Sequence, residues 1–262
     1  MKAFINPFLS IHMQAIILAG GFGTRLKSMV TEVCKPMAPV GGRPFLAWLL
    51  EYMSGQGVTD VVLCLHHIPE AIQSYFGAEA YGIRLRYVVE DKPLGTGGAV
   101  RNALCHLDTG SPVFVLNGDS LVMLNYQRML QAHLQSGRPI TLASCRVNDC
   151  RRYSELTLKD GNVLHYALYG EPHAGDISVG LYVLSPALFD DTIIPVSVAP
   201  TSTGFAECDA FSLERDFLAS MIPRLKPVAY REVGYFIDIG VPEDYRRAQE
   251  EIPSLFDVQV AA

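Results

Sequence analysis

Residues 16–36 read Ile-Ile-Leu-Ala-Gly-Gly-Phe-Gly-Thr-Arg-Leu-Lys-Ser-Met-Val-Thr-Glu-Val-Cys-Lys-Pro. An apolar run ends at Leu18 and Ala19. Gly20, Gly21 and Gly23 follow, then Thr24, Arg25 and, after a gap, Lys35. Glycines let a backbone turn tightly and approach a ligand closely. Their N–H groups can converge on an anion. Arg25 and Lys35 add the positive charge that a polyphosphate needs. The segment is suited to a nucleoside triphosphate, and two cations point to chemistry on it rather than storage. No Gly-Lys-Ser/Thr follows the glycines, so this is not a Walker loop. Leu26 stands where a dinucleotide fingerprint has its third glycine. A plain strand-to-helix turn with surface cations has a similar local sequence, so the decision falls to other segments.

Three of those segments place polar groups at the ends of apolar strands, where open α/β sheets bind ligands. Glu90-Asp91-Lys92-Pro93-Leu94-Gly95-Thr96-Gly97-Gly98-Ala99 is a second glycine-rich loop. The Glu90 carboxylate can accept from an N–H pair on a base edge, such as guanine N1 and N2, and equally from a pyrimidine N3–H. Leu116-Asn117-Gly118-Asp119 delivers a carboxylate suited to Mg²⁺ beside phosphates. Tyr235-Phe236-Ile237-Asp238-Ile239-Gly240 repeats the device, and Asp119 and Asp238 on neighbouring strands could share one Mg²⁺. A fourth set, Glu171 with Ser178 and Gly180, offers polar groups for a hydroxylated substrate but has little specificity by spacing.

The elements that must position these groups alternate. Strands are expected over 14–19, 60–65, 84–89 and 112–116, separated by helices over 44–55, 69–76 and 97–107. This pattern favours a largely parallel, doubly wound sheet covered on both faces. The second half is mixed. A helix near 126–136 precedes a strand over 140–147. A hairpin over 156–165 turns at Lys-Asp-Gly-Asn, and a strand covers 180–184. A helix over 212–221, strands over 228–232 and 235–239, and a closing helix over 242–251 follow. The Ser-, Thr- and Pro-rich stretch 196–204 reads as a flexible loop. Residues 1–12 read as a leader or extension and 13–252 as one catalytic domain. Within it, 13–136 is the nucleotide half and 137–252 the sugar-phosphate half, with a tail over 253–262.

Composition narrows the class. Of 262 residues, 49% are hydrophobic and 18% charged, as in a well-packed enzyme. A net charge of -6 argues against nucleic acid as a partner. No run is long and apolar enough to span a membrane. Six cysteines without Cys-x-x-Cys spacing read as buried hydrophobes of a reducing, cytoplasmic compartment, not as a zinc site or disulfide framework. His66 and His67 at a strand end read as a solvated edge.

Together the four motifs resemble the sugar-1-phosphate nucleotidyltransferases, over essentially all of 13–252. The chain carries Gly-Gly-x-Gly-Thr-Arg-Leu…Lys-Pro at 20–36 and Pro-Leu-Gly-Thr-Gly-Gly-Ala at 93–99. It also carries Gly-Asp at 118–119 and Asp-Ile-Gly-x-Pro-Glu-Asp-Tyr at 238–245. The wording around Lys35 and Glu90 is most similar to the D-glycero-D-manno-heptose 1-phosphate guanylyltransferases, which supply GDP-heptose for bacterial surface polysaccharides. The resemblance implies a Rossmann-like three-layer α/β/α fold with a mainly parallel mixed sheet and a small additional β region. It implies GTP and a sugar 1-phosphate as substrates, Mg²⁺ as cofactor, and a monomer or homo-oligomer. Arg25, Lys35 and Asp119 would be catalytic, with Asp119 and Asp238 holding the metal. Leu18, Ala19, Gly20, Gly21, Gly23, Thr24, Arg25, Glu90, Gly95, Thr96, Asn117 and Gly118 would bind the nucleotide. Ser154, Glu171, Ser178, Gly180 and Tyr182 would bind the sugar phosphate.

The chain departs from the family pattern at Cys34 (often Pro), Pro172 (commonly Lys) and Ser154 (often Gly), and the last two bear on the sugar side. Mannose 1-phosphate as acceptor, uridylyl or thymidylyl transfer, and a catalytically silent nucleotide-sugar sensor on the same fold are the alternatives. A sensor would be expected to lose one of Arg25, Lys35, Asp119 and Asp238, and all four are present.

Overall fold

The computed structural model describes residues 12–21, 34–108, 110–189 and 210–260. Strand β1 (Met13–Leu18), a single 3-10 turn (Lys35–Met37) and a small ribbon of β2 (Pro39–Val40) and β3 (Arg43–Pro44) come first. Then follow α1 (Phe45–Gly55), β4 (Val58–Leu65), α2 (Pro69–Phe76), β5 (Glu79–Ala80), β6 (Ile83–Val89) and α3 (Gly95–Leu104). The middle of the chain forms β7 (Val113–Asn117), β8 (Ser120–Leu124), α4 (Tyr126–Ser136), β9 (Ile140–Val147), β10 (Glu155–Lys159), β11 (Asn162–Ala167) and β12 (Gly175–Leu184). A wide π-helical turn (Leu213–Leu218) runs into α5 (Ala219–Leu225), followed by β13 (Val228–Tyr230), β14 (Val233–Asp238) and α6 (Pro242–Val260).

Ten strands form one sheet in the order β10-β11-β13-β9-β12-β7-β1-β4-β6-β5. Strands β6, β4, β1 and β7 are parallel, because helices carry the chain back between them. Strands β12, β9, β11 and β10 pair antiparallel, and β13 rejoins β9 in parallel. The β10–β11 hairpin turns at Asp160 (φ 50°) and Gly161 (φ 76°), the left-handed pair that a tight hairpin demands. Alternate residues of β1 serve opposite faces. Ala15 and Ile17 join α1, α4 and α6 in one core, while Ile16 joins α3, the π-helical turn and α5 in the other. From β1 the chain adds β4 and β6 on one side, then returns to place β7 on the other. The sheet's switch point, where such sheets bind ligands, therefore lies between β1 and β7.

Three expectations change. Residues 120–124 lie outside the expected strands. They form β8, which leaves the main sheet and pairs antiparallel with β14. The closing helix runs to Val260, through the boundary drawn between a domain and a tail. Pro253 lies inside it. Its ring packs on Gly41, where a Cβ would lie 2.5 Å from Pro253 Cγ, and Phe256 packs edge-on against Trp48 at 4.9 Å. Tertiary packing thus carries the helix past a residue that lacks an N–H donor. The helix expected over 212–221 opens as a π-helical turn capped by Ser212, whose side chain accepts from the Arg215 N–H. Cys34, Cys64 and Cys150 are buried as expected, but Cys105 is exposed. Gly23, Thr24, Arg25, Cys208 and the stretch 196–204 lie outside the described residues. Among the described residues, no helix is long and apolar enough to cross a membrane.

One buried titratable group ties α4 to the sheet. His133, 2% exposed, hydrogen-bonds Thr141 Oγ1 at 3.0 Å and Ser185 Oγ at 3.1 Å. Burial pushes its imidazole down to about 4. The folded state therefore keeps His133 neutral where the unfolded chain, titrating near 6.5, binds a proton. Its contribution is complete above pH ~6.5 and is lost as pH falls toward 4, up to about 3 kcal/mol. Urea unfolding should show stability dropping through this window in the native chain and much less in His133→Gln. Equal pH slopes would refute the assignment.

Candidate active site

The ends of β1 and β7 meet at contact distance. The Gly118 N–H donates to the Leu18 carbonyl at 2.9 Å, and a Cβ at position 118 would stand 2.9 Å from that same oxygen. Only glycine lets the strands close here, and Asp119 emerges immediately beyond. The chain then turns into β8, whose pairing with β14 sets Asp238 opposite Ser120. The Ile239 N–H donates to the Asp119 carbonyl at 3.0 Å and fastens the two turns together.

Lys35 completes the junction. Its Nζ is 2.5 Å from Asp119 Oδ2 and 3.6 Å from Asp238 Oδ1. Burial and the neighbouring Asp119 charge push the Asp238 carboxyl above its usual range, against the pull of Lys35, the Gly240 N–H at 2.6 Å and Arg152. Two half-buried carboxylates that crowd each other beside Lys35 are a hard oxygen donor set, and they fit a divalent ion. A Cβ on Gly240 would lie 2.8 Å from both Asp238 Oδ1 and Lys35 Nζ, so that glycine gives the cluster its room.

Two clefts, each of about 400 Å³, meet at Asp119. The first is floored by Leu18, Gly20, Gly21 and Asn117 and walled by Glu90, Pro93, Gly95 and Thr96. Glu90 Oε2 accepts from the Leu94 N–H at 2.9 Å, which leaves Oε1 for a ligand's donors. Burial among apolar walls raises its carboxyl, opposed by that N–H and by His66. Such a carboxyl gains from N–H donors brought by a base. His66, expected at a solvated edge, lines this cleft instead, and its Nδ1 is 2.8 Å from the Glu90 carbonyl oxygen. Glu214 also lines it, although nothing in its local sequence marks it. The Thr96 hydroxyl donates to Glu214 Oε2 at 2.7 Å and accepts from the Leu213 N–H at 2.8 Å, so its bonds clamp α3 to the π-helical turn. Gly95, at φ 67°, allows this approach, since a Cβ would stand 2.5 Å from the Phe211 carbonyl oxygen.

The second cleft is lined by Lys35, Asp119, Asp238, Gly240, Val241 and, unforeseen from sequence, Arg152. None of Ser154, Glu171, Ser178, Gly180 and Tyr182 lines either cleft. Tyr182, 1% exposed, belongs to the core beneath α5, and Ser178, 8% exposed, donates to its hydroxyl at 3.4 Å. Ser154 donates to the Leu168 carbonyl at 3.3 Å. Glu171 is exposed on the loop after β11. Cys150, Glu155 and His173, with ligand atoms within 4.8 Å of one another, gather at that loop. Glu155 pins it by pairing with His173 at 2.7 Å and accepting from the Glu171 N–H at 3.4 Å.

Gly180 acts indirectly. Its φ is 71°, and a Cβ would stand 2.3 Å from Asn117 Nδ2. It is the bed on which the Asn117 side chain rests in the first cleft. Gly180→Ala should cost about 1–2 kcal/mol through the left-handed backbone alone. It should also displace Asn117 and raise the KM for the nucleotide. Thermal unfolding and initial-rate kinetics check both, and an unchanged KM would separate Gly180 from the cleft.

Comparison with known proteins places the chain in a family. The family described as Nucleotidyl transferase matches residues 14–254. The chain is 36% identical over 244 residues to a D-glycero-alpha-D-manno-heptose 1-phosphate guanylyltransferase of Aneurinibacillus thermoaerophilus, covering 92% of this chain and 98% of that protein. A protein of the same name from Campylobacter jejuni is 37% identical over 234 residues, covering 89% and 97%. The crystal structure of HddC from Yersinia pseudotuberculosis complexed with GMP-PN superposes with a TM-score of 0.75 at 33% identity, covering 91% of this chain and 99% of that one. With four motifs in order, the switch-point clefts between them and relatives matched almost end to end, the chain belongs to the nucleotidyl transferase family.

Proposed function

We propose that the protein transfers the nucleoside monophosphate of GTP to D-glycero-α-D-manno-heptose 1-phosphate, giving GDP-heptose and pyrophosphate, in the cytoplasm, for surface polysaccharide synthesis. The observation that carries this reading is the meeting of two clefts at Asp119, with Asp238 and Lys35 beside it. A triphosphate whose base occupies the first cleft brings its α-phosphate to that junction. An acceptor phosphate then enters from the second cleft.

The acceptor phosphate is already ionised, so its oxygen attacks the α-phosphorus without a general base, the bond to the β-phosphate oxygen breaks, and pyrophosphate leaves. Positioning and charge neutralisation therefore account for the rate. Glu90 orients the base through its N–H edge. Lys35 supplies positive charge at the reacting phosphate, and Arg25 is assigned to the leaving pyrophosphate. Asp119 and Asp238 would hold Mg²⁺, which when bound neutralises phosphate oxygens and aligns the two reactants. The names of the two guanylyltransferase relatives support GTP and heptose as the first pair to test.

Pyrophosphate release should be measured with four nucleoside triphosphates against heptose, mannose, glucose and N-acetylglucosamine 1-phosphates. The expected optimum is GTP with the heptose ester, and a higher kcat/KM for any other pair would replace that assignment. Asp119→Asn should lower turnover by about 100- to 1000-fold, the usual effect of removing one preorganised electrostatic contact. Near-native turnover in that variant would remove Asp119 from the metal site.

A further inference from the structure

An incoming phosphate monoester approaches two carboxylates, Asp119 and Asp238, and needs positive charge on its own side of the junction. Pro172, beside Glu171, has no side-chain charge. The neighbouring Glu171 is exposed and lines neither cleft. Besides Lys35, which already bridges toward both carboxylates, Arg152 is the one cation among the described residues lining the second cleft.

Arg152 is held for such a task. It sits in the turn between β9 and β10, with its side chain 39% exposed. Its Nη2 donates at 2.5 Å to Asp244 Oδ2, on the first turn of α6. Its guanidinium carbon lies 5.4 Å from the centre of the Tyr153 ring. Asp244 is 4% exposed and also accepts from Arg247 Nη1 at 2.9 Å. The buried carboxylate therefore has a second cation and does not depend on Arg152 alone for neutralisation. Arg152 makes no other hydrogen bond with the described residues, so most of its five N–H donors are available. A planar guanidinium matches two phosphate oxygens in a way an ammonium does not.

We infer that Arg152 binds the phosphate of the acceptor sugar 1-phosphate. The inference rests on the nucleotidyl-transfer reading above. Arg152 grips the acceptor before attack and offsets its repulsion by Asp119 and Asp238. It has no part in holding GTP.

The test uses the purified full chain, GTP and heptose 1-phosphate. Arg152→Gln should raise the KM for heptose 1-phosphate about 10- to 100-fold, the usual effect of losing a charged hydrogen-bond partner, and leave the KM for GTP within about twofold. Arg152→Lys should recover part of the loss, because it restores charge without the planar fork. Thermal unfolding of both variants reads the structural contribution, and Arg247 remains on Asp244 to support folding. An unchanged acceptor KM in Arg152→Gln would overturn the assignment while the reading beneath it stood. An equal rise in both KM values with no recovery by Lys would also overturn it, and would mark a purely structural ion pair. Should the native chain release no pyrophosphate with any triphosphate and sugar 1-phosphate, the nucleotidyl-transfer reading would fail and the Arg152 inference with it.

Discussion

Two negative charges held side by side organise this molecule. Asp119 and Asp238 come from turns more than a hundred residues apart in the chain, and nothing local favours their approach. The β8–β14 ribbon forces it by setting Asp238 opposite Ser120, and the Ile239 N–H bond to the Asp119 carbonyl locks it. The cost shows in the raised Asp238 carboxyl, and Lys35 relieves it. A pair strained in this way favours any arrangement that brings more positive charge, which is the condition a metal-assisted phosphoryl site needs. The surrounding elements keep this cluster in place and open a path to it from either side.

The switch point of the sheet supplies those paths. Because β7 returns beside β1, the glycine-rich end of one strand and the Asn-Gly-Asp end of the other form a single floor. Glycines matter here where backbones or side chains meet. Gly118 allows the strand ends to touch, and Gly95 admits the Phe211 carbonyl. The clamp between Thr96, Glu214 and the π-helical turn then closes the far wall of the first cleft. The two clefts thus lie along one sheet and share Leu18, Gly21 and Asp119.

The second cleft has a different construction. Its charged lining is Lys35, Asp119, Asp238 and Arg152, the last from a turn between antiparallel strands. The residues that sequence motifs suggested there line neither cleft. Tyr182 and Ser178 fill the core, and Glu155 with His173 restrains the loop that carries Glu171.

The sequence alone determined the strand-and-helix alternation of the first half, the glycine-rich strand end, and the candidacy of Lys35, Glu90, Asn117, Asp119 and Asp238. Each carries a local signature, a polar residue delivered by a short apolar run or released by a glycine. Arg152, His66 and Glu214 carry none. Each has an ordinary neighbourhood, and each lines a cleft only because distant segments pack there. Tyr182 and Ser178 are buried and line neither cleft, which their local sequence does not show. The strand β8 and the continuation of α6 past Pro253 likewise depend on partners, β14 for the one and Gly41 and Trp48 for the other. Local chemistry is written in neighbouring residues. Which side of a sheet a residue faces, and what meets it there, is decided only when the whole chain has buried its two cores.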